Sequence, residues 1–199
     1  MSFYHEGSRA LQERFDGRRL ADRLEAVRVR TVFTEADRAI VEQAPFFFLA
    51  TAAHGRVDCS FRGGDPGFVR VVDDDVLEFP DYDGNSMYRS LGNILESPPV
   101  GLLFLRFDGG DRLRINGEAM IDVDRERVAA VPGAKSLVRV RATHIYSNCP
   151  RYIPHLTLLA PSPYVPRPGQ RPPAPAWKSR DYARDVLPRG NGEEHDEHN

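Results

Sequence analysis

Between Phe46 and Tyr146 apolar residues recur mainly at alternate positions, the period of a β-strand. Phe46-Phe47-Phe48-Leu49-Ala50-Thr51-Ala52 is apolar on both faces and predicts a strand central in a barrel, which His54-Gly55 turns into a second one. There Val57, Cys59 and Phe61 alternate with Arg56, Asp58, Ser60 and Arg62, so the strand has one wet face and Ser60 and Arg62 share it. Gly63-Gly64-Asp65-Pro66-Gly67 makes a tight turn, and the next strand delivers Arg70. The spacing then changes. A helix opening on Asp83-Gly84-Asn85-Ser86 carries Met87, Leu91, Ile94 and Leu95 on one stripe, with Arg89 and Asn93 pointing elsewhere.

After that helix, Pro99 to Phe107 reads as an apolar strand, and Asp108-Gly109-Gly110-Asp111 as a hairpin turn that demands positive φ. Leu113, Ile115, Ala119, Ile121 and Val123 alternate with Arg112, Arg114, Asn116, Glu118 and Asp122 in a half-buried partner strand. A short helix over Asp124–Val131 and a last strand over Leu137–Tyr146, with Arg139, Arg141 and Thr143 on one side, complete the pattern. Six to eight strands joined by hairpins, with one helical crossover, predict a mainly β (α+β) antiparallel Greek-key barrel. A βαβ fold would need a helix for every strand.

The flanks read differently. Residues 8–28 predict a helix with Leu11, Phe15, Leu20 and Leu24 on one face, in which Gly17 is the candidate break, that serves as a docking arm. A second helix is expected from Glu35 to Gln43, opened by Thr34 and Asp37 as an aspartate version of the capping box. From Pro161 to Pro175 seven of fifteen residues are proline, which predicts an extended polyproline spacer ahead of Trp177 and Tyr182. Gly190 to Asn199 is polar and expected to be disordered. The division expected is an N-terminal arm over 1–44, a barrel over 45–160 and an extension over 161–199.

Composition narrows the classes. The 199 residues are 41% apolar, enough for one sizeable core, and 27 basic against 29 acidic residues leave a net charge of −2. No global field recruits nucleic acid or an anionic membrane, so any basic site is local. The N-terminus lacks the 7–15-residue apolar core of a signal peptide, and no run approaches the roughly 18 apolar residues of a membrane span. Cys59 and Cys149 are read as reduced thiols, Cys59 as a small core residue, and the chain as cytoplasmic. His195 and His198 read as a solvated tail, and the other histidines lack metal-ligand spacing, so no metal site is expected. Gly-x-Gly-x-x-Gly after a strand and a Walker loop are both missing, and Asp108–Asp111 is too short for a calcium loop.

The candidate chemistry is an anion site. Backbone N–H groups at a helix start have no intrahelical partner, and with the macrodipole they favour a phosphate, to which Arg89 would add a charge-assisted bond. Arg62 and Arg70 converge with Arg89 around the glycine-rich turn in this reading. Ser60 has no base at a recognisable spacing, which argues against nucleophilic catalysis.

These residues resemble the pyridoxamine 5'-phosphate oxidase-like FMN-binding split barrels, over roughly Pro45 to Val123. The resemblance implies that Arg89 and Arg70 hold the FMN phosphate, with Asn85 and Ser86 at the helix start. Ser90 departs from the lysine that many members carry and offers a hydroxyl instead. Asn93 falls where a polar residue lies near the flavin. Ser60, Arg62, Gly63 and Gly64 would line the ring and ribityl chain, and Asn148-Cys149-Pro150-Arg151-Tyr152 is similar to a family ending. It further implies a homodimer with FMN at the interface and a small-molecule substrate, with a nicotinamide cofactor open as electron donor. The Pro-rich spacer would carry Trp177 and Tyr182 across to the partner's groove. Pyridoxamine phosphate oxidases end in an arginine- and histidine-bearing segment that holds the substrate phosphate. The last fifty residues have no counterpart, so that substrate is not expected. Two functions stay open: an FMN-dependent oxidoreductase, or a non-catalytic protein that holds flavin, deazaflavin or haem.

Overall fold

The computed structural model describes residues 3–107, 110–149 and 151–188. Among them run seven strands, β1 (Phe46–Ala53), β2 (Arg56–Gly63), β3 (Arg70–Val71), β4 (Val76–Asp81), β5 (Pro99–Arg106), β6 (Asp111–Asp122) and β7 (Ser136–Ser147). The helices are α1 (Glu6–Arg14), α2 (Arg18–Arg28), α3 (Glu35–Glu42), α4 (Arg89–Glu96) and α5 (Arg125–Ala129). The strands form one antiparallel sheet in the order β2-β1-β5-β6-β7-β4-β3, and α4 carries the chain from β4 across to β5.

The sheet curls into a split barrel whose two open edges are β2 and β3. Phe47 of β1 and Phe79 of β4 stand four strands apart in sheet order, roughly 19 Å if the sheet were flat. Their ring centroids are 4.9 Å apart. Phe104 of β5 stacks on Phe47 at 5.0 Å, and Leu49, Leu77, Ile115, Val138 and Ile145 close the same core. The chain enters it through α3. Thr34 and Asp37 form the expected capping box, and Arg30 locks Asp37 at 2.7 Å.

Several expectations change. On β2 the period is right and the sides are reversed. Val57 (77%), Phe61 (63%) and Cys59 are exposed, while Asp58, Ser60 and Arg62 face inward. The reason is coverage: among the described residues β2 pairs only with β1, and α4 lies over its polar side, supplying Arg89 and Ser90 as partners for Asp58. Alternation says which residues share a face, not which face a helix will cover. Cys59 is therefore an exposed thiol rather than a core residue.

The crossover helix starts later than the pattern implied. Its first residue is Arg89, and Tyr88 at the cap is left-handed at φ 47°. Asn85 and Ser86 precede the helix, where Asn85 Oδ1 accepts from Met87 N–H at 3.1 Å. Met87 lies outside the helix and is exposed. The buried face centres between Ser90, Leu91 and Ile94, so Leu95, about 90° around the helix from that centre, is exposed too.

α1 and α2 part at Asp16-Gly17 as expected, yet Leu11, Phe15, Leu20 and Leu24 are all exposed. The Pro-rich segment does not run extended. It turns at Arg167–Gln170 and folds back on its own barrel, where Arg167 pairs with Asp65 and Lys178 with Asp83. Gly190–Asn199 with His195 and His198, part of the Asp108–Asp111 turn, and Pro150 of the 148–152 run lie outside the described residues. Gly110, within them, has the expected positive φ of 71°. Among the described residues no helix is long and apolar enough to cross a membrane.

Candidate functional site

The polar side of β2, the β2–β3 turn, the segment between β4 and α4, the start of α4 and residues 158–165 surround a cavity of about 770 Å³. Eight residues expected at the site line it: Ser60, Arg62, Gly63, Gly64, Asn85, Ser86, Arg89 and Ser90. Arg70 and Asn93 do not. Arg70 reaches Glu78 at 3.0 Å and borders a separate cavity of about 200 Å³. Asn93 donates to Thr51 Oγ1 at 3.0 Å and braces α4 on β1. The three arginines thus do not converge. β3 pairs with β4, so Arg70 stands opposite Glu78 rather than beside Arg62.

The two remaining arginines differ. Arg62 is 17% exposed and already engaged: Nη1 meets Asp81 Oδ1 at 2.7 Å, and Nε donates to Ser60 Oγ at 3.2 Å. Arg89 is 58% exposed, and its Nε donates to Asp58 Oδ1 at 3.2 Å. Between them runs a chain of hydroxyls. Ser90 Oγ lies 2.6 Å from Asp58 Oδ2 and 3.0 Å from Ser60 Oγ. A hydroxyl has one proton, so the carboxylate takes that of Ser90, and Ser60's own proton completes the second contact. Ser90, expected as a loose substitute for a lysine, is a buried link that ties α4 to β2.

Ser90's hydrogen bond, and after it Arg89's, hold the Asp58 carboxyl below the usual carboxylate range. A folded-state value below the unfolded one gives stability that is complete above the ordinary value of 3.8 and is lost as pH falls through the folded value. Ser90→Ala should therefore lower the melting temperature by a constant amount across about pH 5–8, and the two curves should converge below about pH 3.8. Thermal melts across pH test this, and a gap that persists in acid would assign Ser90 a packing role alone.

Among the described residues four carboxylates line the cavity, and each has a cation. Asp58 has Arg89, Asp81 has Arg62, Asp65 has Arg167, and Asp83 is shared by Lys135 at 2.6 Å and Lys178 at 2.5 Å. Burial pushes the Tyr82 hydroxyl up, and Tyr88 and Tyr164 add aromatic surface. Gly64 needs its missing side chain for its own neighbour: a Cβ there would lie 2.4 Å from the Phe68 ring. Sequence reasoning passed over these acids. Asp58 was detectable, since it shares the β2 face of Ser60 and Arg62. Lys135, Arg167 and Lys178 carry no local signal, because only the fold brings them to the rim.

Ser86 (φ 61°) and Tyr88 (φ 47°) are both left-handed without being glycine, two costly conformations within three residues of the cavity wall. Tyr88 makes no side-chain capping bond to α4; Gly92 N–H makes the helix's first backbone bond, to the Tyr88 carbonyl.

Among solved structures, a candidate pyridoxamine 5'-phosphate oxidase of Lactobacillus delbrueckii is 15% identical at a TM-score of 0.49, over 59% of this chain and 95% of its own. HupZ of Group A Streptococcus is 15% identical at 0.47, over 58% and 93%. An FMN-binding protein of Syntrophomonas wolfei is 13% identical at 0.44, over 69% and 96%. Similarity this distant carries no chemistry. No curated protein matches the chain. The family described as pyridoxamine 5'-phosphate oxidase matches residues 33–151, more than half of the sequence and all of the barrel, and to that family the chain belongs.

Proposed function

We propose that the cavity holds FMN and that the protein is an FMN-dependent oxidoreductase acting on a small-molecule substrate. The observation that carries the reading is the uncapped start of α4. Left-handed Tyr88 followed by right-handed Arg89 turns successive N–H groups into a concavity suited to an anion, with the Arg89 guanidinium half exposed beside it. The cavity's size supports it, since ligand pockets of this kind span about 300–1,000 Å³. Asn85, Ser86 and Arg89 would hold the phosphate, and Ser60 would hold polar atoms of the chain that leads to the ring. Arg62, committed to Asp81, would shape the wall rather than grip charge. When bound, the flavin supplies the electron transfer, and this chain's residues bind it, orient it and exclude water.

The same reading makes the protein a homodimer. Phe46, Phe48 and Phe61 form an aromatic cluster across β1 and β2, with Phe46 and Phe61 stacked at 5.2 Å at the border of the cavity, and Val57 further along the same side of β2 is bare. A second copy is the occupant that would also enclose an open-sided cavity. Val57→Asp, on the exposed face of β2 and outside the cavity lining, should convert the dimer to monomer in light scattering and weaken FMN at the same time. A parent protein at monomer mass with flavin bound would end the shared-site reading.

The direct test is the visible spectrum of freshly purified protein. The expected result is the oxidised-flavin pair of bands and FMN, not FAD, on release. Colourless protein that also fails to take up added FMN would overturn the proposal, and a haem or deazaflavin spectrum would favour a carrier.

A further inference from the structure

We propose that residues 158–178 form a strap, latched by ion pairs to Asp65 and Asp83 at the edge of the cavity, whose release admits and frees the ligand; the inference rests on reading that cavity as the ligand site. Leu158, Pro161, Tyr164 and Val165 wall the cavity from a segment that the barrel does not need. Beyond residue 151 the only buried residue among those described is Ala183. The backbone hydrogen bonds of the segment stay within it: Val165 N–H to the Ser162 carbonyl, Gln170 N–H to that of Arg167, Lys178 N–H to that of Pro175. Neither apolar burial nor strand pairing fastens it, so it belongs to the low-stability end of the molecule.

Side chains hold it down. Arg167 grips Asp65 through both carboxylate oxygens, Nε at 2.6 Å and Nη2 at 2.7 Å. Lys178 reaches Asp83 from further along the segment, and Lys135 of the barrel takes that carboxylate's other oxygen. Asp65 and Asp83 stand on two different cavity walls, the β2–β3 turn and the β4–α4 segment, so the strap is pinned at two of its edges. Next to the Arg167 pin, Pro166 seats against Gly133, where a Cβ would come within 2.4 Å of the proline ring. The pinning pairs are only part-buried, with Arg167 at 27% and Asp65 at 41% exposed, so dissolved ions reach them. The Arg62–Asp81 pair deeper in the same cavity is shielded from salt. The latch therefore loosens with ionic strength while the cavity's inner wall stays in place.

Hydrogen exchange on the full-length protein tests this, with FMN as the probe ligand, in the parent, in Arg167→Ala and in the charge swap Asp65→Arg/Arg167→Asp. Peptides covering residues 156–170 should exchange about three- to tenfold faster in Arg167→Ala than in the parent at low salt. The parent should approach that rate near 1 M salt, where the Debye length falls to about 3 Å, and the swap should restore protection. FMN release should accelerate by a similar factor in Arg167→Ala at low salt, with the gap between the two proteins closing at high salt. Unchanged exchange in the variant overturns the latch, and faster exchange with unchanged FMN release overturns the gating. If neither protein takes up FMN, the cofactor reading has failed and gating falls with it, while the exchange data still support or overturn the latch.

Discussion

Arg89→Ala will weaken FMN binding about ten- to hundredfold. A hydrogen bond to a charged group contributes roughly 1.5–3 kcal/mol, which is that range in a dissociation constant. The expectation is specific to this arginine because it alone of the three combines a place on the cavity wall with a half-exposed guanidinium. Arg70 reaches Glu78 outside the cavity, and Arg62 is closed over by Asp81 and Ser60. Losing Arg89 also leaves Asp58 with its Ser90 bond but without its cation, so a carboxylate beside the phosphate would add repulsion. Arg89→Lys keeps the charge and should recover part of the affinity, since a lysine cannot reproduce the planar fork. Fluorescence titration of the apoprotein gives the answer. Equal affinity in Arg89→Ala and the parent would mean that the start of α4 holds something other than phosphate.

Arg62→Ala will show the opposite pattern, a loss of stability larger than any loss of ligand. Its partner Asp81 is 10% exposed on the fully buried strand β4, and deleting one member of such a pair leaves an uncompensated charge, at a cost of about 3 kcal/mol. For a chain of this size that is roughly 6–12 °C in melting temperature. Arg62→Ala combined with Asp81→Asn should regain much of the loss, because the stranded charge is then gone. Calorimetry on the two single variants and the double variant measures this. A single variant that melts with the parent, but binds FMN poorly, would return Arg62 to the ligand.

Most of the barrel was legible. The alternation at Leu113, Ile115, Ala119 and Ile121 became β6, Thr34 and Asp37 made the capping box, and the change of spacing at Asp83 marked the one crossover helix. These are local signals: a strand's period of two, a helix's of 3.6 and a cap three residues long are written in neighbouring positions. The grouping of Ser60 with Arg62, and of Asn85, Ser86, Arg89 and Ser90 near one another, was legible for the same reason, since each group lies on a single element or at its start.

What the tertiary structure decided is which neighbours those groups meet. β2 exposes its apolar side because α4 packs on the other, Arg70 leaves the site because β3 pairs with β4, and Arg62 becomes structural because the curled sheet brings Asp81 to it. Arg167, Lys178 and Lys135 come to the rim from positions 70 to 113 residues away from Asp65 in sequence, and no periodicity links such positions. A pattern along the chain fixes the direction in which a side chain leaves its own element. Whether a charge there is spent in an ion pair or left for a ligand depends on what another element places within about 4 Å of it, and only the fold determines that.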